Sequence, residues 1–198
     1  PWDHPLNLGP VGVTGGAPAT EVCARADVVI GVGTRFQDFT TGSWALFRNP
    51  HRRLISLNVN AYDALKHGAE PLCADARDGL DALSRKLADH AFPPPSPALK
   101  EDWFASVDPL TDVPADSNAL PTDMQVIGAV QRAAGPDTVV MCAAGTMPGE
   151  LHKLWKATRP MSYHMEYGFS CMGYEIAGAM GIKMAEPERD VVCMLGDG

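Results

Sequence analysis

The sequence predicts an α/β protein made of two doubly wound units, each with a parallel sheet. Three observations carry this reading. Short apolar, β-branched runs recur along the chain and most close on glycine, the mark of buried parallel strands. Amphipathic helical stretches alternate with them. A proline-rich stretch interrupts the alternation and divides it. The resulting division is a first unit over residues 1–90, a linker over 91–119 and a second unit over 120–198.

In the first unit, "GGAPATEVCARA" reads as a helix, with Pro18 in the first turn, where its missing N–H is tolerated. "DVVIGVG" from Asp27 and "RLISLNV" from Arg53 read as strands, and "PLCAD" from Pro71 as a weaker one. "ARDGLDALSRKLADH" places Leu80, Leu83 and Leu87 on one helical face, with basic residues in the last turns. "FPPPSP" then excludes both helix and central strand. The stretch through "DPLTDVPADSNA" reads as linker draped over surface.

The second unit opens with Thr122 and Gln125 at capping-box spacing, ahead of an apolar stripe of Val126, Ile127 and Val130. "DTVVMCAAG" is a strand, "PGELHKLWKA" a helix and "PMSYHMEYG" a strand. "MGYEIAGAMGIKMAEP" is a helix rich in small residues, and "DVVCMLGDG" the last strand.

Composition excludes several functions. The chain is 45% hydrophobic and 20% charged, ordinary for a soluble globular protein. Its net charge of −8 and lack of Lys/Arg clusters argue against nucleic acid as a partner. No apolar run is long enough to span a membrane, and no signal-peptide layout opens the chain. The five dispersed cysteines form no C-x-x-C pair and read as buried, reduced thiols of a cytoplasmic protein. Five of the histidines (His4, His51, His67, His90 and His152) lie in polar contexts and read as surface residues. His164 reads as a satisfied strand histidine.

In open α/β sheets ligands bind beyond the carboxyl ends of the strands, so four loops matter. "GVGTRFQDF" offers Gly31, Gly33 and Arg35 either for a nucleotide phosphate or simply for a tight turn, with Arg35 paired to a carboxylate such as Asp38. "AAGTMPGE" is the second loop. In "EYGFSCMGYE" and the helix after it, Gly168, Gly173, Gly178 and Gly181 serve ligand approach or tight packing. In "LGDG", Asp197 between two glycines suits one ligand of Mg2+, or else an Asx turn or a helix cap.

Taken together, "EYGFSCMGYEIAGAMGIKMAEPERDVVCMLGDG" resembles the diphosphate-binding domain of thiamine diphosphate (ThDP) enzymes. "ADVVIGVGTRFQDFTTGS" and "LISLNVNAYDALKHGAEPLCADAR" resemble the C-terminal part of their central domain. Within that superfamily, "PWDHPLNLGPVGVTG", "LNVNAYDALKHGA" and "MEYGFSCMGYEIAG" look most like the hydrolases that open a cyclic trihydroxy-1,2-diketone in inositol catabolism.

The resemblance implies ThDP and Mg2+ as cofactors, with Asp197 the first metal ligand. It implies that Gly196 and Gly198 let the diphosphate approach, and that Met172 supports the bent cofactor. The backbone of the Gly168–Met172 loop, with Phe169 and Ser170, faces the aminopyrimidine. Gly145 and Thr146 stand in the loop that contacts the diphosphate, where relatives often carry Gln-His and this chain has Thr146-Met147. The glutamate that activates the cofactor lies outside this chain, and the ThDP motif is cut at Gly-Asp-Gly. The 198 residues are therefore expected to be a fragment without activity of its own, from an enzyme that is a homodimer or homotetramer. A carboligase of the acetohydroxyacid synthase type and a 2-oxoacid decarboxylase are alternatives. So is a non-catalytic nucleotide-binding or oligomerisation module.

Overall fold

The computed structural model describes residues 1–114 and 118–196. The backbone groups into two units. One comprises Pro1–Pro10, Thr14–Gly16 and the chain from Ser96 onward. The other comprises Val11–Val13 and Ala17–Pro95.

In the second of these, three parallel strands, β1 (Val28–Val32), β2 (Arg53–Asn58) and β3 (Glu70–Cys73), lie in the order β1-β2-β3. Val28 pairs with Arg53 and Ile55 with Glu70. Helices α1 (Ala17–Arg25), α2 (Asp38–Thr41), α3 (Ala61–Ala64) and α4 (Ala76–Lys86) connect or flank them. Asn60 caps α3 and Asp75 caps α4, each side chain accepting a backbone N–H two residues on. Helix α4 closes on β2 at Gly79, where a Cβ would lie 2.6 Å from Leu57.

The buried strand is β2, with Leu54, Ser56 and Leu57 inside. The sequence reading made β1 buried as well, yet Val28, Ile30 and Val32 are exposed. Strand β1 is an edge of this sheet, and an apolar run records β-propensity without recording which strand sits in the middle.

The other unit has β4 (Val139–Cys142) between β5 (Tyr163–Met165) and β6 (Val191–Cys193), all parallel. Every residue of β4 is buried. Its helices are α5 (Ala98–Val107), α6 (Asp123–Ala133), α7 (Thr146–Leu154) and α8 (Tyr174–Ala185). The capping box forms as expected. The Thr122 N–H donates to Gln125 Oε1 at 2.9 Å, and the Gln125 N–H donates to Thr122 Oγ1 at 3.4 Å.

The core joins Ile127, Val140, Cys142, Leu151, Leu154, Trp155 and Met194. Helix α5 forms within the stretch read as linker, and its Trp103 and Phe104 pack on this core. The N-terminal segment belongs here too. The Trp2 N–H donates to the Ala157 carbonyl at 2.9 Å, and its ring meets Phe104 edge-on at 5.4 Å. Gly178 lets α8 lie close on β4, since a Cβ there would come within 2.9 Å of the Met141 methyl.

Two readings of burial need correction. His152 is half-buried, its Nδ1 3.0 Å from Thr14 Oγ1, and its ring lies 6.0 Å from those of both Tyr163 and Tyr167. Burial and the neighbouring Lys153 hold its pKa below the ordinary value. The polar pattern of "ELHKL" hid a helix face that turns inward. The cysteines are all free, but only Cys142 is buried; Cys73 and Cys171 are exposed. No helix among the described residues is long and apolar enough to cross a membrane.

Candidate cofactor site

Strand order decides where a ligand fits. With β4 central, the chain leaves β4 toward β5 on one side and later returns to β6 on the other. The loops after β4 and β6 therefore diverge from neighbouring strands, and a crevice opens between them at their carboxyl ends. A cleft of about 490 Å³ lies there, lined by Asp123, Gly145, Thr146, Met172, Glu175 and Gly196, among others.

Two helices begin at this cleft. Gly145 is the N-cap of α7 and Gly173 that of α8, and neither start has a side-chain cap. The first N–H groups of a helix need partners, and helix N-termini favour anions. Both glycines have positive φ, +121° and +86°, a conformation that other residues adopt only with strain. At Gly196 a Cβ would meet nothing within 4 Å, so the backbone there is open to a close ligand.

Four of the residues expected to bind cofactor, namely Gly145, Thr146, Met172 and Gly196, thus meet at one cleft. Met172 is exposed beside it. Gly168, Phe169 and Ser170 belong to the adjoining loop and do not line the cleft. Asp197 and Gly198 lie outside the described residues. Among the described residues no three His, Cys, Asp or Glu side chains gather as a metal-binding group. His164 is satisfied elsewhere, its Nε2 3.2 Å from the Met161 carbonyl.

Sequence reasoning missed two carboxylates. Glu166 organises the loop before α8. Its Oε1 accepts the Phe169 N–H and its Oε2 the Cys171 N–H, both at 2.8 Å. These backbone donors, Cys171 first, hold its pKa below the ordinary carboxylate value. Ser170 adopts positive φ to close the turn. Glu175 sits in the first turn of α8 and is only 4% exposed, and its Oε2 has no hydrogen-bond partner. A lone carboxylate in the otherwise apolar "MGYEIAGAMG" was the available signal. Near it, burial pushes the Cys142 thiol up to about 11, with the Glu175 charge adding to the effect.

In the other unit the protein itself packs over Gly31, at the end of β1, whereas at Gly33 in the loop, φ +64°, a Cβ would meet nothing within 4 Å. A Cβ on Gly31 would lie 2.2 Å from the Phe36 ring, and Phe36 is buried. Arg35 reaches Gln37 Oε1 at 3.4 Å rather than a carboxylate.

A parallel sheet with a cleft at its strand-order reversal, bordered by two glycine-started helix N-termini, has a geometry that suits an anionic group. Residues 1–83 match the family described as thiamine pyrophosphate enzyme, central domain, and residues 143–198 match the C-terminal TPP binding domain of the same enzymes. The chain belongs to the thiamine pyrophosphate (ThDP) enzyme family. It is 39% identical to a 3D-(3,5/4)-trihydroxycyclohexane-1,2-dione hydrolase from Geobacillus thermodenitrificans. It is 38% identical to proteins of the same name from Clostridium perfringens and Bacillus anthracis. Each match covers 98% of this chain and 34% of the relative, so the chain spans about a third of the length of these curated relatives.

The residues present fit the diphosphate of ThDP: uncapped helix N–H groups, and glycine where backbone must come close. Charge supplies the remaining condition. Among the described lining residues there are carboxylates, Asp123 and Glu175, and no Lys, Arg or His.

Proposed function

We propose that this chain is part of a longer ThDP- and Mg2+-dependent hydrolase that cleaves the C–C bond of 3D-(3,5/4)-trihydroxycyclohexane-1,2-dione. The observation that carries the reading is the convergence of the α7 and α8 N-termini on one cleft beside the open backbone of Gly196. The names of the relatives support the substrate. On this reading residues 1–90 are the C-terminal part of the central domain, 91–119 connect, and 120–198 begin the diphosphate-binding domain.

When bound, ThDP supplies the carbanion-stabilising chemistry that lets a bond beside a carbonyl break. The chain's own residues hold and orient it. The first N–H groups of α7, that of Thr146 among them, and of α8 bind diphosphate oxygens. Met172 lends an apolar surface to the cofactor's ring system. Glu166 fixes the loop of Gly168, Phe169 and Ser170 so that its backbone is presented in one conformation. Asp197, followed by Gly198, is the proposed Mg2+ ligand, because the described lining residues bring no cationic side chain to offset a diphosphate. The activating glutamate is then contributed from outside this chain. The same reading has the enzyme work in the cytoplasm, in inositol catabolism, as a homodimer or homotetramer, with neither nucleic acid nor membrane as partner.

The test is product analysis on the full-length protein with ThDP and Mg2+. Consumption of the cyclic diketone with release of a ring-opened acid is expected. Consumption of pyruvate in its place would move the protein to the carboligases or decarboxylases.

A further inference from the structure

The cleft holds a group that the reading above leaves without a task. Glu175 is buried, and its Oε2 has no partner. Burying a carboxylate oxygen without a donor or cation is costly, and proteins seldom keep such a group idle. Its position explains little by itself. A carboxylate in the first turn of a helix gains from the helix dipole, but such a gain is available at a solvated surface without burial. Asp123 on the same cleft differs, since its Oδ2 accepts a hydrogen bond from Thr146 Oγ1 at 3.4 Å.

The surroundings narrow what could satisfy Glu175. The described lining residues include no basic side chain. The thiols of Cys142 and Cys193, which lie near it, bring no positive charge. A diphosphate entering this cleft would bring further negative charge against Asp123 and Glu175. The arrangement becomes favourable only if a small, hard cation enters with it. A divalent cation takes oxygen ligands, often through its own water molecules, and draws the rest from diphosphate oxygens.

We propose that Glu175 is a binding residue for the divalent cation that accompanies the diphosphate. Its carboxylate accepts a hydrogen bond from a cation-bound water or ligates the cation itself. This rests on the reading of the cleft as a ThDP site and adds a second carboxylate to it, beyond Asp197. The role has a thermodynamic signature. Without cofactor, Glu175 is a liability to the fold. With cofactor and cation, it is satisfied. Cofactor loading should therefore stabilise the wild type more than a variant without the charge.

The experiment uses the full-length protein, stripped of cofactor, and the near-isosteric Glu175→Gln variant. Mg2+ is titrated at saturating ThDP by calorimetry, and both apo proteins are melted. Glu175→Gln is expected to bind Mg2+ about 10–100-fold more weakly, the range for loss of a group that supports a metal site. Its apo form is expected to melt at or above the wild-type temperature. Asp123→Asn, whose side chain is already partnered, is expected to change Mg2+ affinity less. Equal Mg2+ affinity in wild type and Glu175→Gln would overturn the proposal while leaving the ThDP site standing. So would an apo variant that melts well below wild type, because Glu175 would then be holding the fold together. Failure of the wild type itself to bind ThDP with Mg2+ would bring down the reading of the cleft and this proposal together.

Discussion

Two glycine-bearing loops follow two parallel strands in this chain, and they meet opposite fates. At the end of β1, the space beside Gly31 is taken by the chain's own Phe36 ring, while Gly33 just beyond the strand has open space about it. After β4, Gly145 starts a helix whose first N–H groups face a cleft, and across that cleft Gly196 is open. Glycine content is similar, so glycine does not make the difference. Strand order does. The sheet β1-β2-β3 runs in sequence without reversal, whereas β5-β4-β6 reverses about β4. A crevice opens where neighbouring strands send their loops in opposite directions. An open glycine after a strand, such as Gly33, therefore marks a site only where strand order also opens a crevice beside it.

The largest effect should come from closing the cleft. Gly145→Val places a branched side chain on a φ of +121° at the start of α7. ThDP affinity of the full-length protein, read by calorimetry, is expected to fall about 100-fold, roughly 3 kcal/mol. Wild-type affinity would break the comparison at its functional end.

Gly31→Ala tests the other loop. The new methyl would overlap the Phe36 ring, and overpacking of this kind costs about 1–3 kcal/mol. Denaturant unfolding should show that loss, with ThDP affinity unchanged, and Phe36→Leu in the same chain should recover part of it. A selective loss of ThDP binding would assign a ligand to the wrong loop.

A smaller, pH-dependent effect belongs to His152. Its folded pKa lies below the ordinary 6.5, so the unfolded chain binds the proton more readily. Its contribution to stability is complete above about pH 6.5 and is lost as pH falls through the folded value. Melting temperature should drop between pH 7 and pH 5 in wild type, and His152→Gln should flatten that segment of the profile.

Glu166 gives the most local effect. Its folded pKa is depressed by backbone donors, so its support of the loop is present above the ordinary 4.5 and fades as pH falls below it. In Glu166→Gln, hydrogen exchange at Phe169 and Cys171 should quicken at neutral pH, with the amides of the Phe36 loop unaffected. Unchanged exchange at those two amides would show that the loop holds itself.

Much of this was readable from the residues. β-branched runs gave β1, β2, β4 and β6, short apolar or aromatic runs gave β3 and β5, and Thr122 with Gln125 gave the start of α6, because these signals are local. The four cleft residues Gly145, Thr146, Met172 and Gly196 came from loop position and family resemblance. What escaped depends on distant partners. Exposure of Val28 and Ile30 follows from β1 being an edge. Burial of His152 needs Thr14, 138 residues away. Helix α5 follows a proline run that masked it, and its Trp103 and Phe104 find their core in residues after 120. Glu175 looks like any first-turn carboxylate until its missing partner is seen.

The central claim, that the β4/β6 crevice rather than the β1 loop receives the cofactor, is tested most directly by hydrogen exchange. The full-length protein would be compared with and without ThDP and Mg2+. Slowed exchange over residues 145–149 and 173–177, with none over 31–36, is the predicted result. Protection confined to 31–36 would contradict the account and make the central-domain loop the binding site.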